Sequence, residues 1–291
     1  MDKTAIRAAA PMLLPRRARE SSKRDYGRLL IVGGSTGFSG APTLASRAAV
    51  RAGAGLVYLA VPQSIYQIAA VKNDEAMVLP LPSNALMNGC VTGLTTPQFD
   101  AAAARCGVIA AGPGLGRADG AVRLLSSLGK KYGAQLVLDA DALWALSKLR
   151  PDYLAGLERP AVLTPHEGEF RHCLGCEISP SRPEAACRYA AERRCILVLK
   201  GADTVVAFPD GTYYVNPTGN PGLARGGSGD ALTGIMGALL CQFPPEKAVP
   251  LAVFLHGLAG DLAAEARGEY GMTITDVIDF LPEAMKLIME E

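Results

Sequence analysis

Apolar residues occur along this chain in short runs that stop at glycine or polar clusters, with segments of helical spacing between them. The first run, Arg28 to Val32, ends at Gly33 and Gly34 and reads as a strand buried on both faces. Leu44, Ala45, Ala48 and Ala49 then recur at helical spacing in a small-residue segment from Ala41 to Gly53, which predicts a tightly packed helix. Strand-like runs return at Leu56 to Val61, Val108 to Ala111, Gln135 to Asp139, Ala161 to Leu163 and Ile196 to Lys200. Helical segments such as Ala121 to Lys131 and Pro183 to Arg194 lie between them. This alternation predicts an α/β fold with a mostly parallel central sheet and helices on both faces. Two β-rich stretches, Thr204 to Phe208 and Thr212 to Val215, flank Pro209-Asp210-Gly211 and predict a hairpin. Long helical patterns follow from Gly226–Gly229 through Cys241, from about Glu246 to Arg267, and from Thr273 to Glu290, where Pro282 marks a break. Without a repeat or a low-complexity linker, residues 1–291 read as one domain.

Composition narrows the class. With 49% hydrophobic and 20% charged residues and a net charge of +1, the chain is neither disordered nor a generally basic nucleic-acid binder. No apolar run approaches the roughly 18 residues that span a bilayer, so a soluble protein without a membrane partner is expected. Residues 1–27 form a basic N-terminal extension; with Arg28 they hold eight Lys/Arg against three Asp/Glu, which gives +5 there and −4 elsewhere. The apolar patch Ala8 to Leu14 precedes Arg16 and Arg17, the wrong order for a secretory signal. The seven cysteines are odd in number and scattered, which argues against a disulfide framework and for a cytoplasmic location. A strongly anionic ligand would have to be held by local backbone sites, for which the 32 glycines provide close approaches.

Candidate chemistry concentrates between Asn216 and Asp230. Gly226-Gly227-Ser228-Gly229-Asp230 directly precedes a helix, so main-chain N–H groups can converge there as an anion hole. Asp230 would then be a general base for a hydroxyl attacking a phosphoryl group; the plainer alternative is a tight turn with Asp230 capping the helix. Lys200-Gly201-Ala202-Asp203-Thr204 ends a strand, where ligands of open α/β sheets bind, and Lys200 either pairs with a phosphate or is simply solvated. Gly33 to Gly40 lacks the Gly-Lys-Ser/Thr ending of a P-loop, which excludes that class. Gly112-Pro113-Gly114-Leu115-Gly116 and Thr164-Pro165-His166-Glu167-Gly168-Glu169 also follow strands, and His166 is either a ligand contact or a surface residue. Asp139 and Asp141 either reach Mg²⁺ through water or cap a helix. His172-Cys173-Leu174-Gly175-Cys176 lacks the second Cys pair of a zinc site, and its His stands on the wrong side for haem attachment.

Taken together, these motifs resemble the NAD(P)H-hydrate dehydratase family, the carbohydrate-kinase-like domain of the ribokinase-like superfamily. The resemblance runs from about Leu14 to Pro282. It rests on Asp25 to Ser35, Arg51 to Val57, Gly112 to Gly116, Leu138 to Leu143, Leu163 to Glu169, Lys200 to Ala202, and Gly219 to Pro221 with Gly226 to Asp230. It implies a three-layer sandwich and a hydro-lyase of metabolite repair that acts on the S-epimer of hydrated NADH or NADPH. The ring hydroxyl is phosphorylated by a nucleotide, and phosphate, a better leaving group than hydroxide, then departs. Carried onto matching positions, Asp230 is the catalytic base and a substrate contact. Lys200, Gly201, Ala202, Asp203, Thr204, Gly227, Ser228 and Gly229 bind the nucleotide, while Ala41, Gly114, His166 and Asn220 contact the substrate. The resemblance further implies Mg²⁺ bridging the phosphates, ADP or ATP as phosphoryl donor, and a homotetramer; the compact chain favours ADP, converted to AMP and phosphate. The family's separate epimerase domain is not expected, because the dehydratase domain fills the chain. Ser22-Lys23-Arg24 stands where members often have His-Lys-Gly, Arg225 where they have Thr or Lys, and Ser228 where Thr is frequent. A hydroxymethylpyrimidine or thiazole alcohol kinase of the same superfamily is the alternative, and the contexts of His166 and Asn220-Pro221 favour the dehydratase.

Overall fold

The computed structural model describes residues 2–290. Its strands are β1 (Arg28–Val32), β2 (Leu56–Pro62), β3 (Met77–Leu81), β4 (Ser83–Asn84), β5 (Cys90–Val91), β6 (Val108–Ala111), β7 (Gln135–Leu138), β8 (Val162–Leu163), β9 (Ile196–Leu199), β10 (Val205–Ala207) and β11 (Tyr213–Val215). Its α-helices are α1 (Lys3–Ala9), α2 (Gly40–Arg51), α3 (Tyr66–Lys72), α4 (Pro97–Ala103), α5 (Asp119–Lys131), α6 (Asp141–Leu146), α7 (Glu167–His172), α8 (Arg182–Arg193), α9 (Ser228–Leu240), α10 (Pro245–Arg267) and α11 (Ile274–Leu287).

Nine strands form one sheet in the order β11-β10-β9-β8-β7-β6-β1-β2-β3. All pairings from β3 to β9 are parallel, while β9–β10 and β10–β11 are antiparallel. Alternate residues of each strand feed opposite cores, as the period of two requires. Leu29, Ile31, Val108 and Val137 pack beneath α2, α9, α10 and α11, and Leu30, Val32, Ile109 and Leu138 pack beneath α4, α5, α6 and α8. The expected ribokinase-like layering, a mostly parallel sheet with helices on both faces, is the architecture observed.

Two expectations need correction, and one edge strand had no expectation. The helix α11 runs through Pro282 without a break: Ile278, Leu281 and Ala284 on either side of it are buried, and their packing outweighs the hydrogen bond that proline cannot donate. Among the described residues, one helix, α10, is long and apolar enough to cross a membrane, but most of its apolar stretch lies inside the protein, against α9 and α11. The edge strand β3 escaped the pattern because Met77 is exposed, only Leu81 is buried, and Pro80 breaks the apolar run. The basic N-terminal segment folds back on the domain. Leu14 N–H donates to the Ile288 carbonyl at 2.9 Å, Glu290 N–H to that of Leu14 at 2.8 Å, and Arg17 Nη2 to that of Gly53 at 2.6 Å.

Small residues let α9 lie against its neighbours. A Cβ at Gly234 would overlap the Ala45 carbonyl oxygen of α2, and one at Gly237 would press into Leu29 of β1. This contact sets the height of the α9 N-terminus above the sheet. Gly234→Ala should therefore lower stability by about 3 kcal/mol through overpacking, read as a fall in the urea midpoint at unchanged m-value.

Candidate active site

The C-terminal ends of the parallel strands open into a cleft whose floor is an ion pair. Asp139, the residue after β7, is buried, and its carboxylate accepts three hydrogen bonds. Lys200 Nζ donates to Oδ1 at 2.7 Å, Thr164 Oγ1 to Oδ1 at 2.8 Å, and Thr233 Oγ1 to Oδ2 at 3.0 Å. Those partners follow β8 and β9 or sit on α9, so one carboxylate ties four elements together. Glu169 Oε2 lies 3.8 Å from the same ammonium. Burial opposes both charges, but attraction prevails. Lys200 and the two hydroxyls hold Asp139 below its ordinary value, and Asp139, Glu169 and Asp230 hold Lys200 above its own. Lys200 is thus neither solvated nor free, but an ammonium has three donors and its side chain stays 18% exposed, which leaves it able to meet an anion.

The N-terminus of α9 stands directly over this pair. A Cβ at Gly229 would lie 3.1 Å from Lys200 Nζ and 3.4 Å from Asp139 Oδ2, so only glycine brings the backbone this low without pushing on the ammonium. Gly227, with φ of 96°, turns the chain into the helix in the left-handed region and provides no side-chain cap. Among the described residues, the N–H groups of Gly229 and Asp230 find no backbone acceptor. Uncapped amides, the positive end of a 13-residue helix and the Lys200 ammonium converge as an anion site. Ser228 Oγ lies 3.3 Å from Nε2 of His256 on α10. Burial, reinforced by the Lys200 charge, pushes His256 down to about 4, so it acts as a neutral imidazole.

Asp230 makes no capping bond, which removes the plainer reading of this residue. Burial, with the charge of Asp139 added, pushes it up to about 6 against the pull of Lys200. A carboxylate titrating near neutrality is suited to general base work.

A second group of loops lies at the same C-terminal ends of the strands, after β1 and β6. Gly34 N–H donates to the Pro113 carbonyl at 2.8 Å and Ser35 Oγ to that of Gly114 at 2.9 Å, which stitches the β1 loop to the β6 loop. A Cβ at Gly114 would meet Ala41 Cβ at 3.2 Å and Phe38 Cβ at 3.0 Å, and Phe38 is 62% exposed beside them. Asp141 accepts from Gly116 N–H at 2.9 Å and from Arg117 Nε at 3.2 Å, so it braces that loop.

His166 caps α7, its Nδ1 accepting from Glu169 N–H at 3.1 Å while His166 N–H donates to Glu169 Oε2 at 2.9 Å. It also bridges Lys200 in register and remains exposed at the rim. Lys200 to Thr204 form a turn in which Gly201 N–H donates to Thr204 Oγ1 at 3.3 Å, and Gly201, Ala202 and Asp203 are exposed. The side chain of Asn220 is engaged at both ends: Oδ1 accepts from Gly222 N–H at 2.9 Å and Nδ2 donates to Asp261 Oδ1 at 3.0 Å. That engagement fits it for shaping the 219–222 turn. Sequence reasoning missed Thr233 and His256. The spacing of Gly229 and Thr233, one helical turn apart on one face, was the signal available for Thr233, but a histidine inside the apolar α10 carried none.

A sequence profile described as NAD(P)H-hydrate dehydratase matches residues 29–283. The chain belongs to the NAD(P)H-hydrate dehydratase family. Among its relatives in this family, the bifunctional NAD(P)H-hydrate repair enzyme of Moorella thermoacetica is 45% identical over 282 residues, covering 96% of this chain and 53% of that protein. The chain thus spans about half the length of the bifunctional relatives it matches. The ADP-dependent (S)-NAD(P)H-hydrate dehydratase of Bacillus subtilis is 34% identical, with 94% of each chain covered. A crystal structure of the Bacillus subtilis ADP/ATP-dependent enzyme, grown with ATP and Mg²⁺, superposes with a TM-score of 0.80 at 32% identity, over 98% of this chain and 96% of that one. A ribokinase-like protein of Enterococcus faecalis superposes with a TM-score of 0.83 at 27% identity, over 100% and 96%.

Within this family member, the donor set decides how Mg²⁺ would fit. Asp139 and Asp141 are already hydrogen-bonded within the protein, and among the described residues no group of three or more His, Cys, Asp or Glu is placed to hold a metal. The site fits an ion carried by a nucleotide's phosphates with waters between, near Asp230, and does not fit a protein cage. The buried pair makes a stability prediction. Lys200→Met leaves Asp139 uncompensated and should cost about 3 kcal/mol at neutral pH, measured by urea denaturation. The deficit should shrink as the pH is lowered into the acid range. The variant's buried Asp139 then takes up a proton, and the wild type loses the stabilisation that its lowered carboxylate contributes only at higher pH.

Proposed function

We propose that this protein dehydrates the S-epimer of hydrated NADH or NADPH, using a nucleotide as phosphoryl donor. The observation that carries the reading is Asp230 poised near neutrality beside the uncapped α9 amides and the Lys200 ammonium. The nucleotide's phosphates sit over Gly227, Ser228 and Gly229, with the rest of it along Lys200 to Thr204. The hydrated nicotinamide lies against Ala41, Gly114 and His166, with Asn220 shaping the neighbouring turn. Asp230 takes the proton of the ring hydroxyl as its oxygen attacks the terminal phosphoryl group, so that an O–P bond forms while the bond to the leaving nucleotide breaks. In the second step the C–O bond breaks, phosphate leaves with the electron pair, and a ring proton is lost to restore the reduced nicotinamide. The amides and Lys200 hold charge as it develops on the transferring group. Mg²⁺ carried by the phosphates would neutralise part of their charge.

ADP as donor, giving AMP and phosphate, is supported by the name of the Bacillus subtilis relative, and Mg²⁺ by the conditions in which that relative was crystallised. Exposed Ile68, Val71 and Met77 along the β3 edge support a homo-oligomer; the tetramer and the cytoplasmic setting rest on family resemblance and composition.

Hydrated NADPH incubated with Mg²⁺ and either ADP or ATP should recover the absorbance of the reduced cofactor, faster with ADP. A stable phosphorylated pyrimidine or thiazole alcohol formed instead would overturn the reading in favour of a kinase. Asp230→Asn should lower turnover about 10³-fold while nucleotide binding persists. Wild-type turnover should rise with pH to a plateau with a midpoint near 6, because the base works deprotonated.

A further inference from the structure

At the opposite end of the sheet, where the parallel strands begin, four arginines surround one hollow. Arg24 and Arg28 flank a turn closed by Gly27 N–H donating to the Arg24 carbonyl at 3.3 Å. Arg105 leads from α4 into β6, and Arg159 leads towards β8. Together with Gly107 and Cys241 they line a cavity of about 360 Å³ that includes no carboxylate. Among the described residues, none of these four guanidiniums donates a hydrogen bond or pairs with an acid. Arg17, Arg123, Arg182 and Arg225, by contrast, are bound to carbonyls, while Arg19 and Arg194 share the lack of a partner but stand outside any such cluster.

Arg24, Arg105 and Arg159 are exposed and Arg28 is half-buried, so water moderates the repulsion among four like charges while their forked donors have no partner in the protein. A guanidinium fork fits two oxygens of one oxyanion, and four forks fit more than one such group. A Cβ at Gly107 would meet nothing within 4 Å, so a side chain placed at this lining position has open space to enter. The strand β6 separates it from the catalytic cleft by about 15 Å, too far for one phosphoryl chain to reach both.

We propose that this hollow is a second anion site, which binds a small polyanion carrying two or more phosphoryl groups. It is independent of the catalytic reading. The test is isothermal titration of the full chain with inorganic pyrophosphate, and in parallel with orthophosphate, at about 0.15 M salt. Wild type should take up pyrophosphate here at least about tenfold more tightly than orthophosphate. Arg105→Gln/Arg159→Gln should remove one pyrophosphate per chain. Gly107→Leu, which fills the hollow and keeps every charge, should do the same. Without anion, the double variant should melt no lower than wild type because repulsion is relieved, and pyrophosphate should raise the melting temperature of wild type more than that of either variant. Isotherms that match wild type in both variants would overturn the proposal. So would equal affinity for the two anions, or a double variant that melts well below wild type, since the arginines would then serve the fold alone.

Discussion

Everything at the end of the molecule that carries the candidate site hangs on one buried carboxylate. Asp139 receives the Lys200 ammonium and the hydroxyls of Thr164 and Thr233, so the ends of β7, β8 and β9 and the first turns of α9 share a single set of hydrogen bonds. Desolvating two charges is expensive, and replacing such a pair with hydrophobic groups is often neutral or even stabilising. The pair's value here therefore lies in position. It fixes a cation at the one height from which it can meet an anion held by the helix above, and it keeps that cation charged.

The same pair governs Asp230. Two carboxylates near one ammonium compete for it, and the contest is uneven because Asp139 makes the direct contact while Asp230 feels the cation without a hydrogen bond to it. One acid is held low and the other pushed up, which in the proposed reaction separates a structural carboxylate from the base within a single cluster. The glycines complete the arrangement by omission. A side chain at Gly229 would press on Lys200, and one at Gly114 would crowd Ala41 and Phe38. A nearly neutral protein can present a strongly anion-attracting surface in this way, with backbone dipoles and one anchored cation in place of a global field.

Much of this arrangement was legible in the sequence. A strand buried on both faces is a short apolar run, and a backbone that must approach a ligand is marked by glycine, so β1, β6 and β9 with their loops, and the Gly226 to Asp230 turn, stood out. What escaped depends on three-dimensional partnership. Nothing in the neighbourhood of Asp139 says that a lysine 61 positions away will fill its pocket, so it was read as a route to Mg²⁺ or as a cap. His256 was invisible because a buried neutral imidazole looks like any other residue in an apolar helix. Pro282 misled because local propensity proposes a break where packing against α10 holds the helix whole. Edge strand β3, half exposed and carrying Pro80, has no pattern to read.

The pairing of Leu14 with Met289, reinforced by Arg7 Nη1 donating to the Met289 carbonyl at 2.8 Å, brings the first and last described segments side by side beneath the sheet. The path of the backbone is in effect almost a closed ring, with its seam on the side away from the cleft. The sequential order of the elements is then separable from their spatial order, because joining the seam and cutting an exposed turn elsewhere would preserve every neighbour relation that builds the catalytic end. Polypeptide continuing from either end would likewise emerge at the base and leave the mouth of the cleft clear.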